Sequence, residues 1–336
     1  MMVGGGSAAA QNIEQDIEYE AGFYYTVKKG DTLWGLSQRF NDSPWQWPDL
    51  WKENAQISNP HWIYPGERIR LFRKNDQQRI RTPNKVVPAI KPQVETTVVE
   101  EVAPPKVYYH YPSINTVGFI RKPPVQSDGV IFKSLDNKKL ISTSDTVYIR
   151  HPEQGAILTH LNPGSRWTIY RTMKPTEAKN SEAEIGTQHY LVGLLEITQN
   201  ESKFAIGKII KSYRDIRIND MLMSYKPLEK DVVVSESTPG IEGHIITAEE
   251  HNKLIGSLFV VFIDKGTRDN IQPGQVYDVY TREMAQLGPE GESVELDPIV
   301  VGNLIVLRTE ETTSTGLITT NIKKPIEGHQ RIRTPQ

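Results

Sequence analysis

Cysteine occurs nowhere in the 336 residues. That excludes disulfides, thiol nucleophiles and cysteine-ligated metals, and it is compatible with an oxidising envelope compartment. Long apolar runs are missing as well, since none reaches the roughly 18 residues that a membrane span needs. Neither sign of charge is in excess. With 39 Lys+Arg against 41 Asp+Glu the net charge is -2, which gives no electrostatic case for nucleic acid or an anionic membrane as partner. Catalytic signatures are equally scarce. The histidines at 61, 110, 151, 160, 189, 244, 251 and 329 include no His-x-His and no pair at zinc-helix spacing. Ser165, Ser257 and Ser293 lack a Gly-x-Ser-x-Gly setting. Acidic residues are scattered, and Glu249-Glu250 reads as a solvated helix face. The expectation is a non-enzymatic chain with no cofactor and no metal.

What is present is unevenly distributed. The length suits two or three domains. Residues 1–22 read as a leader: Met-Met-Val-Gly-Gly-Gly-Ser-Ala-Ala-Ala looks like the tail of a secretory signal ending before Gln11. Five of the six tryptophans then crowd into one short stretch, at Trp34, Trp45, Trp47, Trp51 and Trp62. So small a unit buries little surface on folding, and dense aromatic packing is the expected remedy. Within it, Tyr25-Thr26-Val27 is β-prone and Gly30-Asp31 makes a turn. Asp31 or Thr32 can cap a helix in which Leu33, Leu36 and Phe40 keep helical spacing. Pro48-Asp49 opens a second helix. After an extended loop to Pro65-Gly66, Arg68-Ile69-Arg70-Leu71-Phe72 alternates as a returning strand.

These residues, Tyr25 to Trp34 and then Asn59-Pro60-His61-Trp62-Ile63-Tyr64-Pro65-Gly66, resemble a LysM module at 23–72. The resemblance implies a small β-α-α-β domain that binds N-acetyl sugars of peptidoglycan or chitin at two loops. It carries ligand contact onto Gly30, Asp31, Thr32, Leu33, Asn59, Pro60, Ile63 and Tyr64. For His61, stacking or a loop hydrogen bond is expected rather than acid–base work.

From 73 to 124 prolines stand at 83, 88, 92, 104, 105, 112, 123 and 124. This reads as a Pro-rich linker unable to bury enough to fold alone. About 30 residues in polyproline geometry span on the order of 90 Å, enough to separate two attachment points. Val107-Tyr108-Tyr109-His110-Tyr111-Pro112 is expected to dock on the domain after the linker. An internal repeat begins after Asp128. Gly129-Val130-Ile131 matches Gly243-His244-Ile245, and Val147-Tyr148-Ile149 matches Val261-Phe262-Ile263. Asn162-Pro163-Gly164 matches Gln272-Pro273-Gly274, Gly193 matches Gly302, and Gly207 matches Gly316. Each copy, 125–235 and 236–336, reads as five or six short strands in a small barrel or sandwich of about 95 residues. Only Ala248 to Ile255 has helical character. The fold class is therefore mixed: a β-α-α-β module, a Pro-rich linker, and an all-β region of two tandem modules. Exposed strand edges in the repeat are expected to add to a partner's strands.

Pro44-Trp45-Gln46-Trp47-Pro48-Asp49-Leu50-Trp51, with the second loop above, is similar to the LysM of the type IV pilus secretin-associated (TsaP-like) family. Lys265-Gly266-Thr267-Arg268-Asp269-Asn270, Gly302 to Thr309 and Arg331-Ile332-Arg333-Thr334-Pro335 resemble that family's second module and ending. The C-terminal half also resembles the C-terminal β domain of a flagellar-motor assembly protein. These resemblances imply an exported periplasmic protein that ties an outer-membrane secretin ring to peptidoglycan. The alternatives are a peptidoglycan-binding envelope protein with no secretin partner, or an accessory of murein hydrolysis.

Overall fold

The computed structural model describes residues 19–41, 43–71, 106–153, 155–175, 185–201, 203–286, 293–321, 326–327 and 329–335. The signal-like start, Phe72 and linker residues 73–105 lie outside them. The first unit runs β1 (Gly22–Thr26), α1 (Leu33–Asn41), a 3₁₀ turn (Pro44–Gln46), α2 (Trp47–Lys52) and β2 (Arg68–Arg70). β1 and β2 pair antiparallel. Leu33 and Leu36 of α1, Leu50 of α2, Tyr25 and Ile69 form its core. Buried Asn54 fastens the end of α2 to β2. Its amide donates to Leu50 O and Arg70 O and accepts from Arg70 N, so a costly buried polar group is fully used.

Beyond residue 106 the described elements are strands apart from 3₁₀ turns at Ile114–Thr116 and Thr267–Asp269. In order they are β3 (Val107–His110), β4 (Phe119–Arg121), β5 (Gly129–Ser134), β6 (Thr146–Arg150), β7 (Arg166–Met173) and β8 (Thr187–Glu201). Then come β9 (Phe204–Ser212), β10 (Met221–Ser224), β11 (Asp231–Val233), β12 (Glu242–Ala248), β13 (Leu254–Ile255) and β14 (Val260–Ile263). The last are β15 (Val276–Thr281), β16 (Met284–Gln286), β17 (Ser293–Glu295), β18 (Ile299–Thr309), β19 (Ser314–Asn321), β20 (Ile326–Glu327) and β21 (Arg331–Arg333).

Two six-membered rings of strands result. The first runs β5-β6-β9-β8-β7-β10 and closes through β10 on β5, with β4 added beside β8. The second runs β12-β14-β19-β18-β15-β21 and closes through β21 on β12. The cyclic order is the same, and the irregularities repeat with it. The register slips between 131 and 133 on β5 and between 245 and 247 on β12. It slips between 169 and 170 on β7 and between 279 and 280 on β15. The slips on β8, 194/195 and 197/199, recur on β18 at 303/304 and 306/308. Bulges are built features of a barrel, so their recurrence marks one unit used twice. Inward-facing Ile131, Val147, Ile149, Ile169 and Leu195 fill the first ring. Ile245, Val261, Ile263, Val279 and Leu304 fill the second.

Three expectations are corrected. The rings are closed, so among the described residues the ring strands do not offer the rows of free edges on which strand addition to a partner would rely. Ala248 to Ile255 is not helical: β12 ends at Ala248, His251 takes a left-handed φ of 55°, and β13 comes next. Ala248 and Ile255 reach the barrel core from two separate strands, which mimics helical spacing. Glu249 is accordingly buried rather than on a solvated face.

The linker also ends earlier than its composition suggests. β3 pairs with the free edge of β1, and β11 pairs with β3, giving the sheet β11-β3-β1-β2. Tyr25 of β1 stands opposite Ile69 on one side and Val107 on the other. The chain therefore leaves β2 and re-enters at β3 two strand spacings apart, about 10 Å, so these attachment points are not held far apart. Val107 to His110 thus joins the first unit to the barrels. The apolar core of that unit continues through Tyr109, Ile114 and Val232 onto the outer wall of the second barrel at Val276, Ile305, Leu307 and Leu317. The turn of Gln272-Pro273-Gly274 is part of this seam. Gly274 has φ +93°, and a Cβ there would collide with Val233 O.

Candidate functional site

The eight residues singled out by the sequence fall in two loops, 30–33 after β1 and 59–64 before β2. Because those strands are antiparallel, both loops emerge from the same end of the pair. Val27 N donates to Glu67 O and Gly66 N to Val27 O, which continues the pairing towards that end.

The first loop is fixed from within. Gly30 takes φ +93° with open space at its missing side chain, a conformation that glycine adopts without strain. Asp31 Oδ2 accepts from Tyr25 Oη at 2.7 Å and from Lys28 N at 2.8 Å. Arg39 stands 3.8 Å away. Burial and the Asp31 hydrogen bond push the Tyr25 hydroxyl up to about 12, so it remains a donor. Thr32 is the helix cap: its Oγ1 accepts from Gly35 N at 3.0 Å. Leu33 is 1% exposed and belongs to the core.

The second loop is held by turns of its own. Asn59 Oδ1 accepts from His61 N at 3.0 Å, an Asx turn. Glu67 Oε2 accepts from Tyr64 N at 2.9 Å. Ile63 packs partly against the core, and Pro60 is half-buried. The ring of His61 lies 6.3 Å from that of Trp47. Tyr64 is 57% exposed.

The tryptophans correct the packing expectation. Only Trp47 and Trp51 pack against the core, with Trp51 Nε1 donating to Ile57 O at 2.7 Å. Trp34, Trp45 and Trp62 are exposed by 53%, 80% and 64%. Trp34 adjoins the first loop and Trp62 lies in the second, so both are functional candidates that counting aromatics as packing overlooks. The signal is present in the sequence. Trp34 falls off the helical face that Leu33, Leu36 and Phe40 define, and Trp62 sits among turn residues.

Among the described residues no group of three or more His, Asp or Glu is placed to hold a metal ion. No helix among them is long and apolar enough to cross a membrane. Comparison with known proteins agrees with the location of the module. Residues 25–72 match the LysM domain family. LysM is a binding domain and not a catalytic one, and it implies binding of peptidoglycan or a related carbohydrate. A similar relative is the uncharacterized protein YqbP of Bacillus subtilis (strain 168), 40% identical over 57 residues, which is 14% of this chain and 26% of that protein. The match thus spans about a quarter of the relative's length.

Proposed function

We propose that this chain is a non-catalytic protein of the cell envelope that holds peptidoglycan at loops 30–33 and 59–64. Gly30, Asp31, Thr32, Leu33, Asn59, Pro60, Ile63 and Tyr64 form the contact, mainly through backbone amides and carbonyls, because Asp31, Thr32 and Leu33 commit their side chains to the fold. One observation carries the reading: the rings of Trp34, Trp62 and Tyr64 stand in water on or beside these loops. An exposed aromatic face is suited to packing on a pyranose ring, with its polar edge left wet. In this reading residues 23–72 are the wall-binding unit and 125–235 and 236–336 are two β modules. Those modules hold an outer-membrane secretin ring of a type IV pilus-like machine from the periplasm. The resemblance of Gly302 to Thr309 and of the chain's ending supports that partner. Contact then runs through barrel walls and loops.

The full chain should pellet with purified sacculi. Trp62→Ala and Tyr64→Ala should each lower the bound fraction severalfold with an unchanged melting midpoint. A wild-type chain that stays in the supernatant overturns the wall-binding reading. A tagged full chain drawn from solubilised envelopes should retain a secretin. Recovery of murein fragments with no secretin would remove that partner and leave wall binding standing.

A further inference from the structure

A cleft of about 210 Å³ opens where three parts of the chain meet. The outer face of the first barrel contributes Leu191 of β8 and Met223 of β10. The segment that follows β3 contributes Ile114 and Val117, and Arg308 of β18 reaches in from the second barrel. Ile114, Val117 and Leu191 are buried, so the lining between the charged groups is apolar. The rims are fixed before any ligand arrives. Asn115 Nδ2 donates to Leu228 O at 3.0 Å, and Asn115 Oδ1 accepts from Leu228 N at 2.7 Å. On another rim Val125 is held by Tyr170 Oη, which donates to Val125 O at 3.2 Å. The volume falls below the roughly 300–1,000 Å³ that encloses a drug-sized ligand, so a small molecule or the end of a chain is what fits.

The charged side chains on the cleft are Arg121, Lys226, Arg308 and Asp128. The Arg308 guanidinium lies 3.8 Å from the centre of the Phe119 ring. Its Nε and Nη2 donate to Glu310 Oε1 at 3.1 and 2.8 Å, which leaves Nη1 without a hydrogen bond among the described residues. Arg121 Nε stands 3.9 Å from Oε2 of the same Glu310. Lys226 is exposed and forms no ion pair among the described residues. Asp128 is approached by His160 at 3.4 Å. Three cations thus meet two acids, Asp128 and Glu310, and one positive charge is left over. Burial lowers the Arg308 pKa and Glu310 opposes the shift, so a further anion at Nη1 would act in the same sense as Glu310.

We propose that this cleft binds the carboxyl end of a murein peptide stem, a monoanion that ends in a small apolar residue. The carboxylate lies against Arg308 and Arg121, the terminal methyl group lies on Leu191 and Val117, and Asp128 accepts from the last N–H. The choice of the stem as source rests on the wall-binding reading, whereas the match of one carboxylate to the surplus charge does not. The test uses the full chain and N-acetyl-D-alanyl-D-alanine as the probe. In a methyl-detected magnetic resonance titration the Leu191 and Met223 methyl signals should move and saturate. The C-terminal amide of the probe should bind about tenfold more weakly or worse, because it lacks the charge that the arginines hold. The L,L isomer, which stands for the carboxyl end of a protein, should bind severalfold more weakly. Arg121→Gln, at a half-exposed side chain, should weaken binding of the acid severalfold with an unchanged melting midpoint. Arg308→Lys keeps the charge but loses the planar fork, and should do the same. Trp62→Ala should leave the titration unchanged, so failure of the cleft and failure of the wall-binding loops are told apart. A chain that pellets with sacculi but shows no methyl shifts with the probe overturns the proposal and leaves wall binding standing. Equal binding of acid and amide, equal or tighter binding of the L,L isomer, or an affinity unchanged in both arginine variants overturns it as well.

Discussion

Asp31 and Tyr64 carry equal weight as candidate sugar contacts in the sequence, but their atoms are committed differently. Asp31 joins Tyr25 and Lys28, whereas the Tyr64 side chain is mostly in water. Asp31→Ala should therefore cost about 1–3 kcal/mol of stability in urea unfolding. Tyr64→Ala should stay within about 0.5 kcal/mol and lose affinity for sacculi. Equal destabilisation by both would assign Tyr64 to the fold. The cap at Thr32 is legible in the sequence because capping is local. The exposure of Trp34 and Trp62 is less so, because tryptophan is apolar enough for a core and amphipathic enough for a binding surface. A second residue-scale prediction concerns His189, which stacks on Phe119 at 4.5 Å and accepts from Val125 N through Nε2 at 3.0 Å. Burial lowers its pKa from 6.5 to about 4. A proton on Nε2 would displace the Val125 hydrogen bond. The unfolded chain binds that proton first, so the stability from neutral His189 is present above 6.5 and is lost as pH falls towards 4. The total is on the order of 3 kcal/mol. Nuclear magnetic resonance titration of the imidazole should find it neutral well below pH 6, and His189→Gln should flatten this part of the pH–stability curve.

Among the elements, β3 decides how the N-terminal unit is held. Val107-Tyr108-Tyr109-His110 announces a strand by its residue types, but a strand's partner is a non-local matter. Its insertion between β1 and β11 is not readable from composition, and the prolines nearby favour a free spacer. The same limit explains the barrels. Turns such as Asn162-Pro163-Gly164 and the spaced glycines of β8 and β18 are local and expose the duplication. Ring closure depends on pairing β5 with β10 and β12 with β21, across 85 or more residues in each case, counting Val130 to Met221 and His244 to Arg331. The short gap between the end of β2 and the start of β3 makes the linker length testable. Replacing residues 76–101 by about eight Gly/Ser residues halves the connection and should leave the four-stranded sheet intact and raise stability by about 0.6 kcal/mol, the gain expected from each halving of a loop. Chemical denaturation of the shortened chain measures it. A large loss would mean that the excised residues contribute contacts of their own.

At the scale of the molecule, the two barrels meet through a charge cluster around buried Glu249, which reads as solvated surface in the sequence, while its neighbour Glu250 stays exposed. Arg214 donates to Glu249 at 2.9 Å and Glu250 at 3.0 Å, and to Thr116 O and Leu191 O at 2.9 and 2.7 Å. Glu249 also accepts from Gly118 N at 2.5 Å. One cation thus ties β8, the segment before β4 and the turn after β12. Nothing in the spacing of single Arg and Glu residues reports such a meeting, because its members come from separate strands and loops. Burial raises the Glu249 pKa, with Arg214 opposing the shift. Removing Arg214 leaves a buried carboxylate with its main counter-charge gone, and Arg214→Ala should cost about 3–5 kcal/mol at neutral pH. The pH dependence has a definite sign. A carboxyl whose folded pKa is raised contributes stability that is present below its ordinary 4.5 and is lost as pH rises through the folded value. The Arg214→Ala variant should therefore be least impaired in acid and most impaired at neutral pH, opposite in slope to the His189 contribution. Adding Glu249→Gln to Arg214→Ala should recover part of the loss at neutral pH and little in acid. Guanidinium unfolding at two pH values measures this, and a penalty independent of pH would show that Arg214 acts through its carbonyl contacts alone.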